Sequence, residues 1–193
     1  MKRLLIGLLT MVALTACGSG AVTEPHTAPA PAQDVAPAPV IAPVPVSTPA
    51  QPTEPTRLRL EGLAEQIAAP VIPLVLTGTE LTPPNDPTVL GWWGRPAGAA
   101  HGVTLLVGHT VHTGGGTLDD LEDVPVGSTA NVSGVRYEVA SVKIISKDKL
   151  AKQAQVLFRQ SGPQRLVIVT CEGYDAATGH YDSNVVLTAT RTN

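Results

Sequence analysis

A chain of 193 residues with a formal net charge of −3 holds one ordinary domain plus accessory segments, and its mild acidity excludes a broad basic surface for nucleic acid. With two Trp, three Tyr and one Phe, its core must come from Val, Leu, Ile and Ala. The eighteen prolines and two cysteines carry the first positional information.

The chain opens "MKRLLIGLLTMVALTAC", in which Lys2 and Arg3 precede a largely apolar run from Leu4 to Ala16. That order matches the charged and apolar regions of an export signal, and the run falls short of the roughly 20 residues that a permanent membrane span requires. It ends in Leu14-Thr15-Ala16-Cys17, which resembles the lipobox of bacterial lipoproteins. The resemblance implies that residues 1–17 are a lipoprotein signal peptide ending at a lipidated Cys17, the mature N-terminus. An ordinary signal peptide with a chance cysteine is the competing reading. From Gly18 to Pro55 the chain is dominated by Ala, Pro, Val and Thr, as in "TAPAPAQDVAPAPVIAPVPVSTP". Frequent proline removes backbone donors and fixes φ, so residues 18–55 are expected to form a disordered or polyproline stalk that adds nothing to the folding of the rest. At about 3.1 Å per residue it reaches on the order of 100 Å.

Residues 56–193 are expected to form the globular domain. "GLAEQIAA" at 62–69 has helical spacing that Pro70 ends, and "VIPLVLTG" at 71–78 reads as a strand. "TPPNDP" at 82–87 is a loop, and "VTLLVGH" at 103–109 is a buried strand. "TLDDLEDV" after Gly116 is a short helix. "STANVSG" leads into a long alternating strand, "VRYEVASVKIIS" at 135–146, and "DKLAKQAQVLF" at 148–158 is helical. "QRLVIVTC" at 164–171 and "NVVLTATR" at 184–191 are further strands. Many short strands with little helix predict a mainly β fold, a closed or nearly closed barrel.

Cys171 follows "LVIVT", so its thiol is expected at the barrel rim. With Cys17 consumed by lipid, Cys171 is a solitary thiol in an oxidising compartment, where an unpaired cysteine tends to persist because its nucleophilicity is used. Inert packing is the alternative for such a residue. A nucleophilic thiol needs a base or cation beside it, and His109 ends "VTLLVGH" as Cys171 ends its own apolar run.

"GWW" at 91–93, "LLVGHT" at 105–110, "LVIVTC" at 166–171 and "NVVLTA" at 184–189 resemble, in order and spacing, the landmarks of sortases, and "DLEDVPVGSTANV" fits the same pattern. The tail "GHYDSNVVLTA" most resembles the class F branch. The resemblance implies a closed eight-stranded β-barrel and a cysteine transpeptidase with Cys171 as nucleophile and His109 as general acid and base. It implies no cofactor. Its partners would be secreted proteins bearing a sorting signal and an amine acceptor such as a cell-wall precursor, met on the extracytoplasmic side of a membrane that the lipid anchors.

The family places an arginine near the start of the last strand, where this chain reads Tyr181-Asp182-Ser183-Asn184. Arg165 and Arg191 lie roughly 20 Å away along their strands, at 3.3 Å per residue. Asn184 is the candidate oxyanion donor in the arginine's place. That departure keeps two other readings open, a cysteine hydrolase on the same scaffold and a catalytically impaired peptide-binding lipoprotein. His101, His109 and His112 do not make a zinc set, for want of further ligands in good order. Glu172, Asp175 and Asp182 lack a calcium-loop pattern and read as a solvated acidic loop. Trp92 and Trp93 are expected to cap the core, with a ring lining a peptide groove as the alternative.

Overall fold

The computed structural model describes residues 51–77 and 81–192. The expected signal peptide, Cys17 and residues 18–50 of the proline-rich segment lie outside the described residues. In chain order the elements are β1 (Arg57–Leu60), β2 (Ile67–Pro73), β3 (Leu90–Gly94), β4 (Val103–Val107), a 3-10 turn (Leu121–Asp123), β5 (Thr129–Val132), β6 (Val135–Ser146), α1 (Lys147–Leu157), β7 (Arg165–Asp175) and β8 (His180–Arg191). The strands close into an eight-stranded barrel in the order β1-β2-β3-β4-β7-β8-β6-β5. The β2–β3 and β4–β7 pairs are parallel and the rest antiparallel. The mainly β, closed-barrel expectation holds.

Two apolar layers explain the sequence pattern. Every strand contributes to the interior, including Leu58, Ala69, Leu90, Leu106, Val132, Tyr137, Ile168 and Leu187. A second layer lies on the outer face of β4, β7 and β8, from Val103, Leu105, Val107, Val167, Val169 and Val186, with Leu150 and Phe158 packed against it. β4 and β7 are therefore covered on both faces, and their burial runs unbroken from Val103 to Val107 and from Leu166 to Thr170. A strand with two dry faces reads as a continuous apolar run rather than an alternation. β6 shows the contrast, with alternate residues exposed through its first half.

Several local expectations need correction. The helix proposed over 62–69 does not form. Ile67, Ala69 and Val71 are buried while Ala68 and Pro70 are exposed, the period of a strand. The Val71 N–H donates to the Thr56 carbonyl, which makes Arg57–Pro70 a non-hydrogen-bonded pair, so β1 asks no donor of Pro70. The strand expected over 71–78 ends at Pro73, where its pairing with β3 stops at Trp92. β1 and β3 are strands that short length and Gly91 concealed. β7 and β8 run further toward each other than expected, to Asp175 and from His180, so Cys171 lies within a strand and not at its end.

Candidate active site

Side-chain alternation places Cys171 in line with Val167 and Val169 on the outer face of β7, while Thr170 turns inward and is 2% exposed. Across the sheet, Cys171 pairs with Asn184 on β8, and Asn184 pairs with Ile145 on β6. Cys171 is half-buried and unpaired. It lines a cleft of about 480 Å³ together with Leu105, Val107 and Gly108 of the β4 segment, Val169 and Asn184 on the sheet, Leu150 and Phe158 from α1 and its end, and Leu81 and Pro83 from the loop before β3.

His109 reaches this level through register. Val107 pairs with Val169, and the Gly108 N–H donates to the Val169 carbonyl at 3.2 Å. His109 stands two residues past Val107, as Cys171 stands two past Val169. Adjacent strands lie about 4.8 Å apart, so continuing this register past Val107 would set the two residues side by side, although the cleft that Cys171 lines does not include His109. A glycine is needed between β4 and His109 because a Cβ at Gly108 would drive into Leu90 and Leu118 on the inner side. The two threonines beside the pair hold it together. The Thr110 and Thr170 hydroxyls lie 2.8 Å apart, and each is 3.1 Å from a backbone carbonyl, Leu118 and Gly108 respectively.

The imidazole has a defined partner. His109 Nε2 lies 2.7 Å from the Pro84 carbonyl. A carbonyl only accepts, so Nε2 carries hydrogen, and Nδ1 is the nitrogen left for other chemistry. Tyr181 secures the next stretch, its hydroxyl donating to the Thr110 carbonyl at 2.9 Å and accepting from the His112 N–H at 2.8 Å. His112 stacks on Tyr174 with ring centroids 3.7 Å apart, away from the contact that holds His109.

Asn184 is 9% exposed, and its Nδ2 donates to the Thr170 carbonyl at 3.0 Å, the peptide bond that enters Cys171. One amide hydrogen is thus committed. Arg165 donates to the Val156 and Leu157 carbonyls at 2.8 and 3.1 Å, and Arg191 to the Gly98 carbonyl at 2.9 Å, both at the other end of the sheet. Sequence reasoning missed two contributors. Pro84 was read only as loop, and Lys147, at the β6–α1 junction, lines the cleft as its one charged residue among the described ones. The signal for Lys147 was its position one residue beyond the long strand, which only the β6–β8–β7 register converts into proximity. Trp92 packs on the barrel interior and Trp93 on the outer apolar layer, and neither lines the cleft beside Cys171.

A separate acidic hollow is lined by Asp119, Asp120, Glu122 and Glu172 with Tyr174 and Tyr181. Glu122 Oε2 is buried there without a hydrogen-bond partner. Burial chiefly, and nearby Glu172, Asp123 and Asp120, push its carboxyl pKa up against a partly offsetting bond from its own backbone N–H. The folded protein then holds this proton better than the unfolded chain, so ionised Glu122 costs stability once pH rises past the ordinary glutamate range. Glu122→Gln is expected to raise Tm modestly at pH 7, where the wild-type carboxylate is ionised. The gain should shrink as pH falls toward about 4. Melting curves of both proteins at the two pH values check this, and a constant difference would refute it.

A closed barrel of this topology, with a thiol on the outer face of β7 beside an apolar cleft, defines a small cysteine-bearing β-barrel domain. A family model described as the sortase domain matches residues 60–192, and the chain belongs to the sortase family. Among solved structures it is similar to a lid mutant of sortase A from Corynebacterium diphtheriae, at 16% identity and a TM-score of 0.51 over 72% of this chain and 71% of that one. Sortase C1 from Streptococcus agalactiae, solved in complex with MTSET, matches at 15% identity and a TM-score of 0.52 over 72% and 69%. Sortase A from Listeria monocytogenes matches at 12% identity and 0.51 over 71% and 86%. At these identities the likeness establishes the fold. Among curated proteins, none matches the chain.

Proposed function

We propose that this sortase-family domain is a cysteine transpeptidase of the class F type, carried on a proline-rich stalk from a lipid-anchored Cys17. The observation that supports it most is the β4–β7 register, Val107 on Val169, from which His109 and Cys171 each follow by two residues. In this reading the Cys171 thiol passes its proton to His109 Nδ1 as Sγ adds to the carbonyl carbon of a sorting-signal peptide bond. The C–N bond breaks, and His109 gives its Nδ1 proton to the departing amine. An acceptor amine then attacks the thioester, His109 Nδ1 takes its proton, and a new amide forms as the C–S bond breaks and His109 returns that proton to sulfur, regenerating the thiol. The Pro84 carbonyl holds hydrogen on Nε2, which leaves Nδ1 as the atom that exchanges protons.

The test is mass spectrometry of the full chain after incubation with a sorting-signal peptide library. An adduct that lacks the peptide's leaving portion and maps to Cys171 supports the reading, and transfer to an added amine rather than to water separates transpeptidase from hydrolase. No adduct at any peptide concentration leaves a non-catalytic binder. Asn184→Ala is expected to slow adduct formation by roughly 10- to 100-fold, since it removes an amide donor at the reacting carbonyl and frees the Thr170 carbonyl. An unchanged rate would move the donor role elsewhere.

The anchor makes its own prediction. Among the described residues no helix is long and apolar enough to cross a membrane. In this reading the attachment is the lipid on Cys17. Cys17→Ser should leave unprocessed precursor or release the protein from membranes on fractionation. Normal processing with membrane partitioning unchanged would remove the lipoprotein claim.

A further inference from the structure

The cleft is apolar along most of its lining and holds one charged side chain among the described residues, Lys147. No carboxylate pairs with it among those residues, and its backbone follows Ser146, the N-cap of α1. Its place follows from the row Cys171–Asn184–Ile145, which crosses three adjacent strands. Ile145 is about 10 Å from Cys171 across that row, at about 4.8 Å per strand. Lys147 follows two residues later, and its flexible four-carbon stem covers much of the remaining gap. The neutral alternative is partly spent, because Asn184 Nδ2 is bonded to the Thr170 carbonyl.

We infer that Lys147 is the electrophilic cation of the cleft, its ammonium contacting the carbonyl oxygen of a bound acyl group as Cys171 Sγ adds to the carbon. In that step the S–C bond forms, and the π pair of the carbonyl moves onto oxygen. The negative charge appears beside Leu105, Val107 and Val169, which offer it no hydrogen bond. One ammonium there is worth more than in bulk water, because the surroundings screen it less. The inference rests on the reading of Cys171 as nucleophile, and it adds a residue that reading did not contain.

The experiment compares two alkylating reagents of similar size, anionic iodoacetate and neutral iodoacetamide, on the full chain, with adducts quantified on the peptide bearing Cys171. A cation near Sγ favours the anionic reagent. Lys147→Gln is expected to lower the iodoacetate-to-iodoacetamide rate ratio by roughly three- to tenfold, as for one unit charge a few ångströms away in a partly wet cleft. Lys147→Arg should keep the ratio, and Lys147→Glu should lower it further. Raising salt toward 1 M should pull the wild-type ratio down to that of Lys147→Gln, since the lysine is exposed and the Debye length falls to about 3 Å. Lys149→Gln, outside the cleft lining, serves as the control and should leave the ratio at the wild-type value.

With a peptide that acylates Cys171, Lys147→Gln should lower the acylation rate by roughly ten- to a hundredfold with KM little changed, the signature of an interaction made in the transition state. A ratio indifferent to Lys147, or lowered equally by Lys149→Gln, overturns the inference even if peptide adducts form. A ratio that falls as expected while no peptide ever acylates the protein supports Lys147 as the cation at the thiol and sinks the transpeptidase reading instead. The two failures are therefore distinguishable.

Discussion

Cys171→Ala is expected to abolish adduct formation with every sorting-signal peptide, to below about one part in 10⁴ of the wild-type rate. The reason is that the bond-forming atom itself is removed, and no other free thiol lies among the described residues. The wild-type thiol is half-buried at the cleft wall, not sealed in the interior like its neighbour Thr170, so native protein should label with iodoacetamide at Cys171. The barrel should survive the substitution, because the residue sits at the end of the outer apolar row and the interior layer excludes it. Equal melting curves for the two proteins, with labelling and peptide adduct both lost, are the expected result. Labelling of wild type only after denaturation would defeat the active-thiol reading.

His109→Ala comes next in size. Acyl transfer should fall by roughly 10²–10⁴, the usual worth of a positioned acid–base group. The loss should appear in transfer more than in peptide binding, because His109 is absent from the cleft lining and engages the Pro84 carbonyl instead. Small primary amines or imidazole added to the buffer should partly restore transfer, which a folding defect would not allow. A fall in activity matched by a fall in Tm, without rescue, would assign His109 a structural part in tying the loop at Pro84 to the barrel.

Much of this was legible in the residues alone. The doubly buried strands β4 and β7 announced themselves as unbroken apolar runs, and α1 lies within one residue of its expected bounds because Ser146 caps it, accepting from the Lys149 N–H. Cys171 and His109 stood out because each interrupts such a run with a reactive group. β2 was misread because its period-2 signal, Ile67, Ala69 and Val71, straddles a proline. Local spacing cannot show that the pairing at Pro70 asks for no donor. β1 was invisible, since four residues become a strand only when partners on both sides accept them.

What the chain determined by itself was the inventory: a basic-then-apolar N-terminal run, a proline-rich segment, a barrel's worth of strands, and a cysteine and a histidine each closing an apolar run. What only the tertiary structure decided was adjacency. Level placement of His109 with Cys171 depends on a parallel register between segments some sixty residues apart. The Pro84 carbonyl on His109, the Asn184 amide tied to Thr170 and the lysine at the cleft depend on loops and strand ends that carry no local pattern. Hydrogen bonds and single charges act over a few ångströms, and sequence spacing says nothing about which remote segments come that close until the barrel has closed.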